Sequence, residues 1–241
     1  MDCSRASGVS VVVPAYNEAG NIAHLVDEVR RALDGREFEI IVVDDGSDDG
    51  TAAEAADARV RLVRHGRRRG QSAAIVSGVE AARHGLVATL DGDGQNDPVD
   101  LPGLLAELET PGGPALVAGV RARRDDPWTK RFASRIANGV RGRVLGDGAV
   151  DTGCGLKAFD RADFLALPRF DHMHRFLPAL FLAAGHRVRY RAVRHRPRRA
   201  GRTKYGVGDR LWVGIVDMLG VLWLSRRLLR AGREEKTRDG R

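Results

Sequence analysis

The chain has 241 residues, enough for a single α/β domain or for one domain with a short appendage. Its composition is that of an ordinary globular protein, with 43% hydrophobic and 30% charged residues. The formal net charge is +8, and arginine supplies nearly all of the positive charge. Arginine favours forked contacts to phosphate oxygens. The charge alone does not separate nucleic acid, anionic lipid and a phosphorylated small molecule as partners.

The two cysteines, Cys3 and Cys154, are too far apart in sequence to form a metal-binding motif or a disulfide framework. We expect both to be free thiols in a reducing compartment. The opening residues MDCSRASG lead directly into a strand-like run. We therefore predict no signal peptide and a catalytic part that stays in the cytoplasm.

Strand-like and helix-like segments alternate from Val9 to Gly119. Buried strands are predicted from continuous aliphatic or β-branched runs at residues 9–13, 38–44, 60–63, 86–90 and 114–119. Helices are predicted from apolar spacing or alanine-rich composition at residues 22–33, 51–58, 70–85 and 98–108, the third ending at a Gly85 C-cap. This alternation predicts a mostly parallel sheet with helices on both faces.

The second half of the chain is less regular. We predict a basic helix from Trp128 to Leu145, a glycine turn and short strand in VDTGCGLKAFDR, a helix from Leu177 to Ala184, and a strand in HRVRYRAV. The Arg-rich stretch HRPRRAGRTKYG lacks periodicity and is predicted to be a loop. No internal repeat or second domain is visible, so we predict one catalytic domain over residues 1–206.

The C-terminal apolar run from Leu211 to Leu224 contains Asp217 and has about 14 residues, whereas a membrane span needs ~20. Two tryptophans lie near its ends, and the flanking arginines are Arg210, Arg226, Arg227 and Arg230. We predict an amphiphilic helix over 207–231 that lies in a membrane interface, followed by a disordered tail at 232–241. The alternative is a core helix that closes the domain.

Three polar motifs, PAYNE, DDGS and DGDGQ, each follow a predicted strand. Because ligands bind at the carboxyl ends of the strands in open α/β sheets, we expect the motifs to converge on one edge. Asp91 and Asp93 alternate at a strand end, so their side chains point the same way and repel each other unless a cation lies between them. Such oxygens, with Gln95 as a third donor, suit Mg²⁺ or Mn²⁺ bound to a diphosphate. The alternative is a solvated Asp/Gly turn.

The DDGS motif offers Asp44 and Asp45, whose carboxylates can accept a hydrogen bond from a base N–H or a ribose hydroxyl. The alternative is a turn that caps the next helix, and the residues that best fit this capping role are Ser47, Asp48 and Asp49. Asp97, directly before Pro98, is predicted to be a helix N-cap with proline in the first turn.

Together, VSVVVPAYNEAGNI, IIVVDDGSDDGT, RRGQSAAIVSGV, TLDGDGQNDP and DTGCGLKAFDR resemble the family 2 glycosyltransferases of the GT-A fold. The likeness is greatest to the polyprenol-phosphate sugar transferases, the dolichol-phosphate mannose synthase group, and extends from Val9 to Tyr205. It implies a hexosyltransferase that takes a UDP- or GDP-linked sugar, uses Mg²⁺ or Mn²⁺, and inverts the anomeric centre. The implied acceptor is a polyprenyl phosphate such as undecaprenyl phosphate, at the inner face of the cell membrane.

The resemblance also implies roles for individual residues, with a nucleotide-sugar half over about 8–119 and an acceptor half over about 120–206. The nucleotide-sugar-binding residues would be Pro14, Ala15, Tyr16, Asn17, Glu18, Asp45, Gln71 and Asp91. The metal ligands would be Asp91, Asp93 and Gln95. The residues that contact the acceptor phosphate or the diphosphate would be Arg121, Arg135, Arg199, Arg202 and Lys204, the last three in a lid over the donor.

A lipid phosphate is already anionic near neutral pH, so it can attack the anomeric carbon without a base. The predicted catalytic residues are Asp93, Arg121 and Asp151. An alcohol acceptor would need a base, for which Asp151 in VDTGCG is the candidate. Some relatives carry a further acid where this chain has Cys154. The Gln-x-x-Arg-Trp motif of processive synthases is not visible, so one sugar per event is expected.

Three alternative functions would each require a different feature of the sequence. A transferase acting on a soluble, glycan or protein acceptor would have the same donor site. Packing of the C-terminal helix into the core would favour this alternative. A nucleotidyltransferase would need a Gly-rich, Lys-containing loop after the first strand, and PAYNEAGN is acidic and lacks lysine. A nucleic-acid-binding module would need a basic stripe with interleaved aromatic residues, which make up only 5% of the chain, so we predict no nucleic-acid partner.

Overall fold

A computed structural model describes residues 8–121, 141–149 apart from 143, 151–197 and 209–227, with only the backbone at 209–213. Most of the helix predicted between Trp128 and Leu145 lies outside these ranges. So do four residues predicted to contact phosphates, Arg135, Arg199, Arg202 and Lys204.

The elements of the first half are β1 (Val9–Ala15), α1 (Ile22–Ala32), β2 (Phe38–Asp44), α2 (Thr51–Asp57), β3 (Arg61–Arg64), α3 (Gln71–Ala81), β4 (Leu86–Thr89), a 3₁₀ turn (Pro98–Asp100), α4 (Leu101–Leu108) and β5 (Leu116–Arg121). Those of the second half are β6 (Lys157–Asp160), α5 (Arg161–Leu165), a 3₁₀ turn (Met173–Arg175), α6 (Leu177–Ala183), β7 (Val188–Val193) and α7 (Asp209–Ser225). Each strand predicted from the sequence is present.

The strands form one sheet in the order β3-β2-β1-β4-β6-β5-β7. β1 pairs in parallel with β2 and β4, and β2 pairs in parallel with β3. β6 is antiparallel to both of its neighbours, β4 and β5, while β5 and β7 are parallel. The predicted α/β class with a mostly parallel sheet is confirmed, and the insertion of β6 between β4 and β5 is the feature that strand order in the sequence does not predict.

Alternate residues of the strands face two separate hydrophobic clusters, because successive side chains of a strand point to opposite faces. Val11 and Val13 of β1 pack in one cluster with α1 and α4, whereas Val12 packs in the other with α3 and α6. Gly78 lets α3 lie close to the sheet, since a Cβ atom there would fall 2.3 Å from a Val12 methyl carbon. The two clusters place helices on both faces, as predicted.

One local prediction is wrong, and a second holds only in part. The helix α3 ends at Ala81 and not at Gly85, because Ala82 is extended and the next two N–H groups, of Arg83 and His84, donate to the side chains of Glu39 and Ser10. The N-cap residue of α2 is Gly50, and it makes no side-chain cap. Of the predicted capping residues, Ser47 and Asp48 bind the loop after β1 instead, whereas Asp49 binds that loop and also accepts a hydrogen bond from the N–H of Thr51, the first residue of α2, at 2.9 Å.

A third local prediction holds, and one helix was missed. Asp97 caps the turn at Pro98 by accepting a hydrogen bond from the Val99 N–H at 3.1 Å. The five-residue α5 was not predicted, because it is too short to show an apolar period. Its signal is Asp160, whose carboxylate accepts hydrogen bonds from the N–H groups of Ala162 and Asp163.

The C-terminal helix α7 is docked along one side. Val221 is buried, and Met218 and Leu224 pack against the second hydrophobic cluster. Asp217 lies 2.8 Å from Nδ1 of His172, which ties the helix to the loop before α6. Within the described residues, no helix is long and apolar enough to cross a membrane.

Candidate active site

The three strand-end motifs meet at one edge of the sheet. The strand β1 lies between β2 and β4, so the loops that follow these strands are neighbours. In the parallel register Ala15 pairs with Asp44, and Val12 pairs with Thr89. The PAYNE, DDGS and DGDGQ segments therefore surround one position, as predicted.

The loop after β1 is held by the loop after β2. The Asn17 N–H donates to Ser47 Oγ at 2.9 Å, the Asn17 side-chain amide donates to Asp48 at 2.6 Å, and the Glu18 N–H donates to Thr51 Oγ1 at 2.8 Å. Asn17 has a φ of +52°, a left-handed conformation that asparagine tolerates better than most residues. This loop is consequently preformed, with the ring of Tyr16 4.4 Å from the Arg68 guanidinium carbon.

The two aspartates that end β2 are buried and bound by the protein. Asp45 accepts hydrogen bonds from the backbone N–H groups of Arg69 and Gly70, both at 2.8 Å, and its Oδ1 lies 2.7 Å from His65 Nδ1. Asp44 accepts from the Ser47 N–H at 2.9 Å and from Arg64 Nε at 3.1 Å. A carboxylate offers about four acceptor positions, so Asp45 retains one on Oδ2.

The aspartates that follow β4 have a different environment. Gln71 donates its side-chain amide to Asp91 Oδ1 at 2.7 Å, and the Gln95 N–H donates to Asp93 Oδ1 at 3.1 Å. Burial, followed by the charge of Asp93, raises the pKa of Asp91 to about 6, although Lys157 and Arg121 act in the opposite direction. The protein therefore does not fully compensate the negative charge of Asp91.

This donor set fits a divalent cation. Two carboxylates that raise each other's energy in one turn are stabilised when a cation binds between them. Among the residues that the structure describes, no group of three His, Cys, Asp or Glu side chains is placed to hold a metal. A metal here would thus rely on Asp91, Asp93 and the Gln95 amide together with substrate phosphates, as Mg²⁺ commonly does.

A glycine turn before β6 lies directly against these groups. A Cβ atom on Gly155 would fall 2.2 Å from an Asp91 carboxylate oxygen, and one on Gly153 would fall 3.2 Å from an Arg121 nitrogen. Thr89 Oγ1 donates to the Gly155 carbonyl at 2.7 Å. The VDTGCG segment needs its glycines because the Asp91 carboxylate and the Arg121 guanidinium occupy the space of side chains.

Lys157 is a site residue that the sequence analysis missed. It is buried, and its ammonium group donates to the carbonyl of Cys154. Burial lowers its pKa, an effect opposed by the nearby Cys154, Asp91 and Asp151. The available signal was a lysine at the start of an otherwise apolar strand, where an unpaired charge is rarely placed.

Arg121 and Asp151 form a two-pronged ion pair. Arg121 donates from Nε to Asp151 Oδ2 at 2.6 Å and from Nη2 to Oδ1 at 2.7 Å, and its backbone N–H donates to Oδ2 at 3.2 Å. This pairing raises the pKa of Arg121. Both oxygens of Asp151 thus accept from Arg121, the one predicted acceptor-side cation that the described residues include.

Solved structures with the same fold are known. The chain resembles glucosyl-3-phosphoglycerate synthase from Mycobacterium tuberculosis in complex with Mg²⁺ and UDP, with a TM-score of 0.71, 22% identity, and coverage of 94% of this chain and 82% of that one. The same synthase in complex with Mn²⁺, UDP and glucosyl-3-phosphoglycerate gives a TM-score of 0.68 at 22% identity and the same coverage. The fold is that of a GT-A glycosyltransferase, as expected.

Residues 10–168 match the family model "Glycosyl transferase family 2", and the chain belongs to this family of glycosyltransferases. It is 36% identical over 234 residues to a dodecaprenyl-phosphate galacturonate synthase of Rhizobium johnstonii, covering 93% of this chain and 69% of the relative. It is 35% identical over 207 residues to an undecaprenyl-phosphate 4-deoxy-4-formamido-L-arabinose transferase of Edwardsiella ictaluri, covering 83% and 63%. The chain thus spans about two thirds of the length of these relatives. The predicted resemblance to polyprenol-phosphate sugar transferases is confirmed.

Proposed function

We propose that this enzyme transfers one hexose from a nucleotide-diphosphate sugar to a polyprenyl phosphate, with inversion and with the help of Mg²⁺ or Mn²⁺. Two relatives at 35–36% identity are named for dodecaprenyl and undecaprenyl phosphate acceptors. The observation in the site that carries the proposal is the Arg121–Asp151 pair beside Asp91. It offers a fixed cation to an anionic acceptor, and it occupies Asp151, the predicted candidate for a base.

The pairing of Asp151 with Arg121 matters for the choice of acceptor. An alcohol must lose a proton as it attacks, and a general base contributes typically 10²–10⁴-fold to such a reaction. Asp151 is the only acid at this position in the VDTGCG segment, and both of its oxygens accept hydrogen bonds from Arg121. A phosphate oxygen is ionised already, so positioning and charge stabilisation suffice.

The remaining residues take supporting roles on the donor side. Asp45 accepts the ring N–H of the base through its remaining acceptor position, beside the preformed loop of residues 14–18. Gln71 orients the Asp91 carboxylate by its hydrogen bond. A cation on Asp91, Asp93 and Gln95 would neutralise the leaving diphosphate. Lys157 contributes buried positive charge behind Asp91 and stiffens the glycine turn.

The enzyme meets the inner face of the membrane through α7. One side of this helix is packed, which partly favours a soluble acceptor, but the other side exposes Val216 (63%), Leu219 (56%) and Trp223 (60%). The Arg227 guanidinium lies 5.0 Å from the Trp223 ring, at the end of the helix. An apolar stripe next to arginine and tryptophan suits an anionic lipid interface.

The first experiment measures release of nucleoside diphosphate from a panel of UDP- and GDP-sugars. The purified protein is incubated with Mn²⁺ or Mg²⁺, with and without a short polyprenyl phosphate. Release that requires both metal and lipid phosphate, and that is lost in Asp93→Asn, supports the proposal. The matched control is Asp97→Asn, in which asparagine preserves the N-cap and activity should persist. Release of nucleoside diphosphate that depends on metal but not on the lipid would contradict a lipid phosphate acceptor and favour a soluble, glycan or protein acceptor.

Membrane contact is tested by co-sedimentation with vesicles that contain anionic lipid. The double variant Leu219→Gln/Trp223→Gln should reduce the bound fraction severalfold. Val99→Ser, which removes an exposed apolar side chain far from α7, should not. Equal binding of both variants and the parent protein would rule out α7 as the contact.

A further inference from the structure

Arg196 binds the turn that carries Asp93 and Gln95, although no strand-end motif includes it. Its backbone N–H donates to the Gln95 carbonyl at 2.9 Å. Its Nη2 donates to the carbonyls of Gly94 and Asn96, both at 3.3 Å. One arginine thus contacts three consecutive carbonyls, and the preceding residue, His195, forms an antiparallel bridge with Asn96.

The other side of Arg196 is fixed to α1. Its Nη1 and Nη2 donate to Glu28 Oε1 and Oε2 at 2.8 and 2.7 Å, and His24 Nε2 lies 2.8 Å from the same carboxylate. Hydrogen bonding to Arg196 lowers the pKa of Glu28 to about 2, so this carboxylate is charged at physiological pH. Two-pronged pairs of this kind have a defined geometry as well as charge.

The turn needs an anchor from outside. Gly94 has a φ of +71°, and no atom of the residues that the structure describes lies within 4 Å of the position its Cβ would take. Gly92 and Gly94 alternate with the two aspartates, and glycine loses more conformational freedom on ordering than any other residue. Side-chain packing at Gly94 therefore does not fix the backbone of the turn. The Gln95 N–H closes the turn from within by its bond to Asp93, and the carbonyl contacts to Arg196 connect the turn to the rest of the fold.

We propose that Arg196 is a positioning residue for the metal-binding turn, holding the carbonyls of residues 94–96 while Glu28 fixes its guanidinium against α1. The inference rests on the proposed function, because it takes Asp91, Asp93 and Gln95 as the cation ligands. Groups that orient metal ligands typically contribute 10–100-fold to metal affinity. Arg196 also joins the turn to α1, the helix that follows the loop of residues 14–18.

The test measures Mn²⁺ binding directly, by the loss of the free-Mn²⁺ electron paramagnetic resonance signal in the presence of UDP or GDP. Arg196→Gln should weaken Mn²⁺ binding about 10–100-fold. Glu28→Gln and Arg196→Lys should weaken it less, since each keeps part of the contact. The matched control is Arg36→Gln, which breaks another partly buried two-pronged pair, with Glu109, far from the turn.

Thermal unfolding of the same proteins separates positioning from general stability. The inference predicts that Arg36→Gln and Arg196→Gln lower the melting temperature similarly, while only Arg196→Gln loses Mn²⁺ affinity. Equal Mn²⁺ affinity in Arg36→Gln and Arg196→Gln would contradict the positioning role of Arg196 without contradicting the proposed function. If Arg196→Gln does not fold, the ranking of Glu28→Gln and Arg196→Lys below the parent decides. A parent protein that binds no Mn²⁺ would overturn the metal part of the proposed function itself.

Discussion

Two acidic turns flank β1, and their electrostatics differ. In the turn after β2, the buried Asp45 meets two backbone N–H groups and His65, and Asp44 meets Arg64 and a third N–H group. In the turn after β4, Asp91 receives one amide hydrogen bond, and burial together with Asp93 raises its pKa to about 6. The charge of an aspartate at equivalent strand ends is thus compensated by the protein after β2, whereas the charge of Asp91 after β4 is not fully compensated.

The difference distinguishes carboxylates that stabilise the fold from a carboxylate that is suited to bind a cation. The hydrogen bonds of Asp44 and Asp45 connect loops distant in sequence, and the protein supplies most of the donors needed to bury them, with one acceptor position of Asp45 left for a ligand. Asp91 receives too little compensation, as its raised pKa shows, and a perturbed carboxylate in a site is a marker of function. Mutations that neutralise a carboxylate in each turn should therefore differ in their effect on stability.

The largest expected effect is that of Asp91→Asn on activity. Loss of a metal-binding carboxylate should reduce nucleoside diphosphate release by more than the roughly 10–100-fold seen for groups that merely orient ligands. The melting temperature should stay the same or rise, because the variant removes a partly buried charge and its repulsion with Asp93. Substantial activity at saturating Mn²⁺, or a clear loss of stability, would contradict the contrast between the turns.

Asp45→Asn should have a large effect on folding, which Asp91→Asn lacks. The Arg69 and Gly70 N–H groups bind different oxygens of Asp45, so in asparagine the amide NH2 would face one of these donors and that donor would lose its acceptor. Lost hydrogen bonds to a charged group cost about 2–3 kcal/mol, which urea denaturation measures as a lower midpoint. The exposed Asp34→Asn is the control. A cost below about 0.5 kcal/mol would mean that the turn is not held by this carboxylate.

Asp151→Asn tests a third carboxylate, the partner of Arg121. If Asp151 only orients Arg121, the variant should lower kcat/KM for the lipid phosphate about 10-fold, or ~1.4 kcal/mol. Combination with Arg121→Gln should then add little, because the two residues act as a unit. A loss of about 10³-fold or more, with activity recovering as the pH rises, would instead identify Asp151 as a general base and an alcohol as the acceptor.

The smallest effect concerns acid stability through Glu28. Its pKa is lowered from the usual 4.5 to about 2 in the folded protein. The pair with Arg196 therefore stabilises the fold fully above pH 4.5, and this contribution is lost as the pH falls through 2. The stability difference between the parent and Glu28→Gln, below about 1 kcal/mol for a partly exposed pair, should shrink over that window. A difference that is constant with pH would show that the pair contributes no charge-dependent stability.

The first half of the fold could be predicted from the sequence because its signals are local. Strands such as Phe38–Asp44 are continuous apolar runs, and Asp97 with Pro98 marks a helix start within two residues. The order of these segments placed three motifs at one sheet edge, and the composition of DGDGQ indicated a cation. The predicted C-cap at Gly85 and the caps at Ser47 and Asp48 failed because groups from another loop or strand took part in the hydrogen bonds.

The sequence by itself determined the α/β class, the parallel strands β1 to β5, the family and the acidic turn. Only the tertiary structure decided that β6 runs antiparallel between β4 and β5, which brings Lys157 and the glycine turn against Asp91. It also decided that Arg196 binds Glu28, 168 residues earlier. Periodicity and capping operate over a few residues, whereas these pairs depend on how distant segments pack, and no local pattern encodes that.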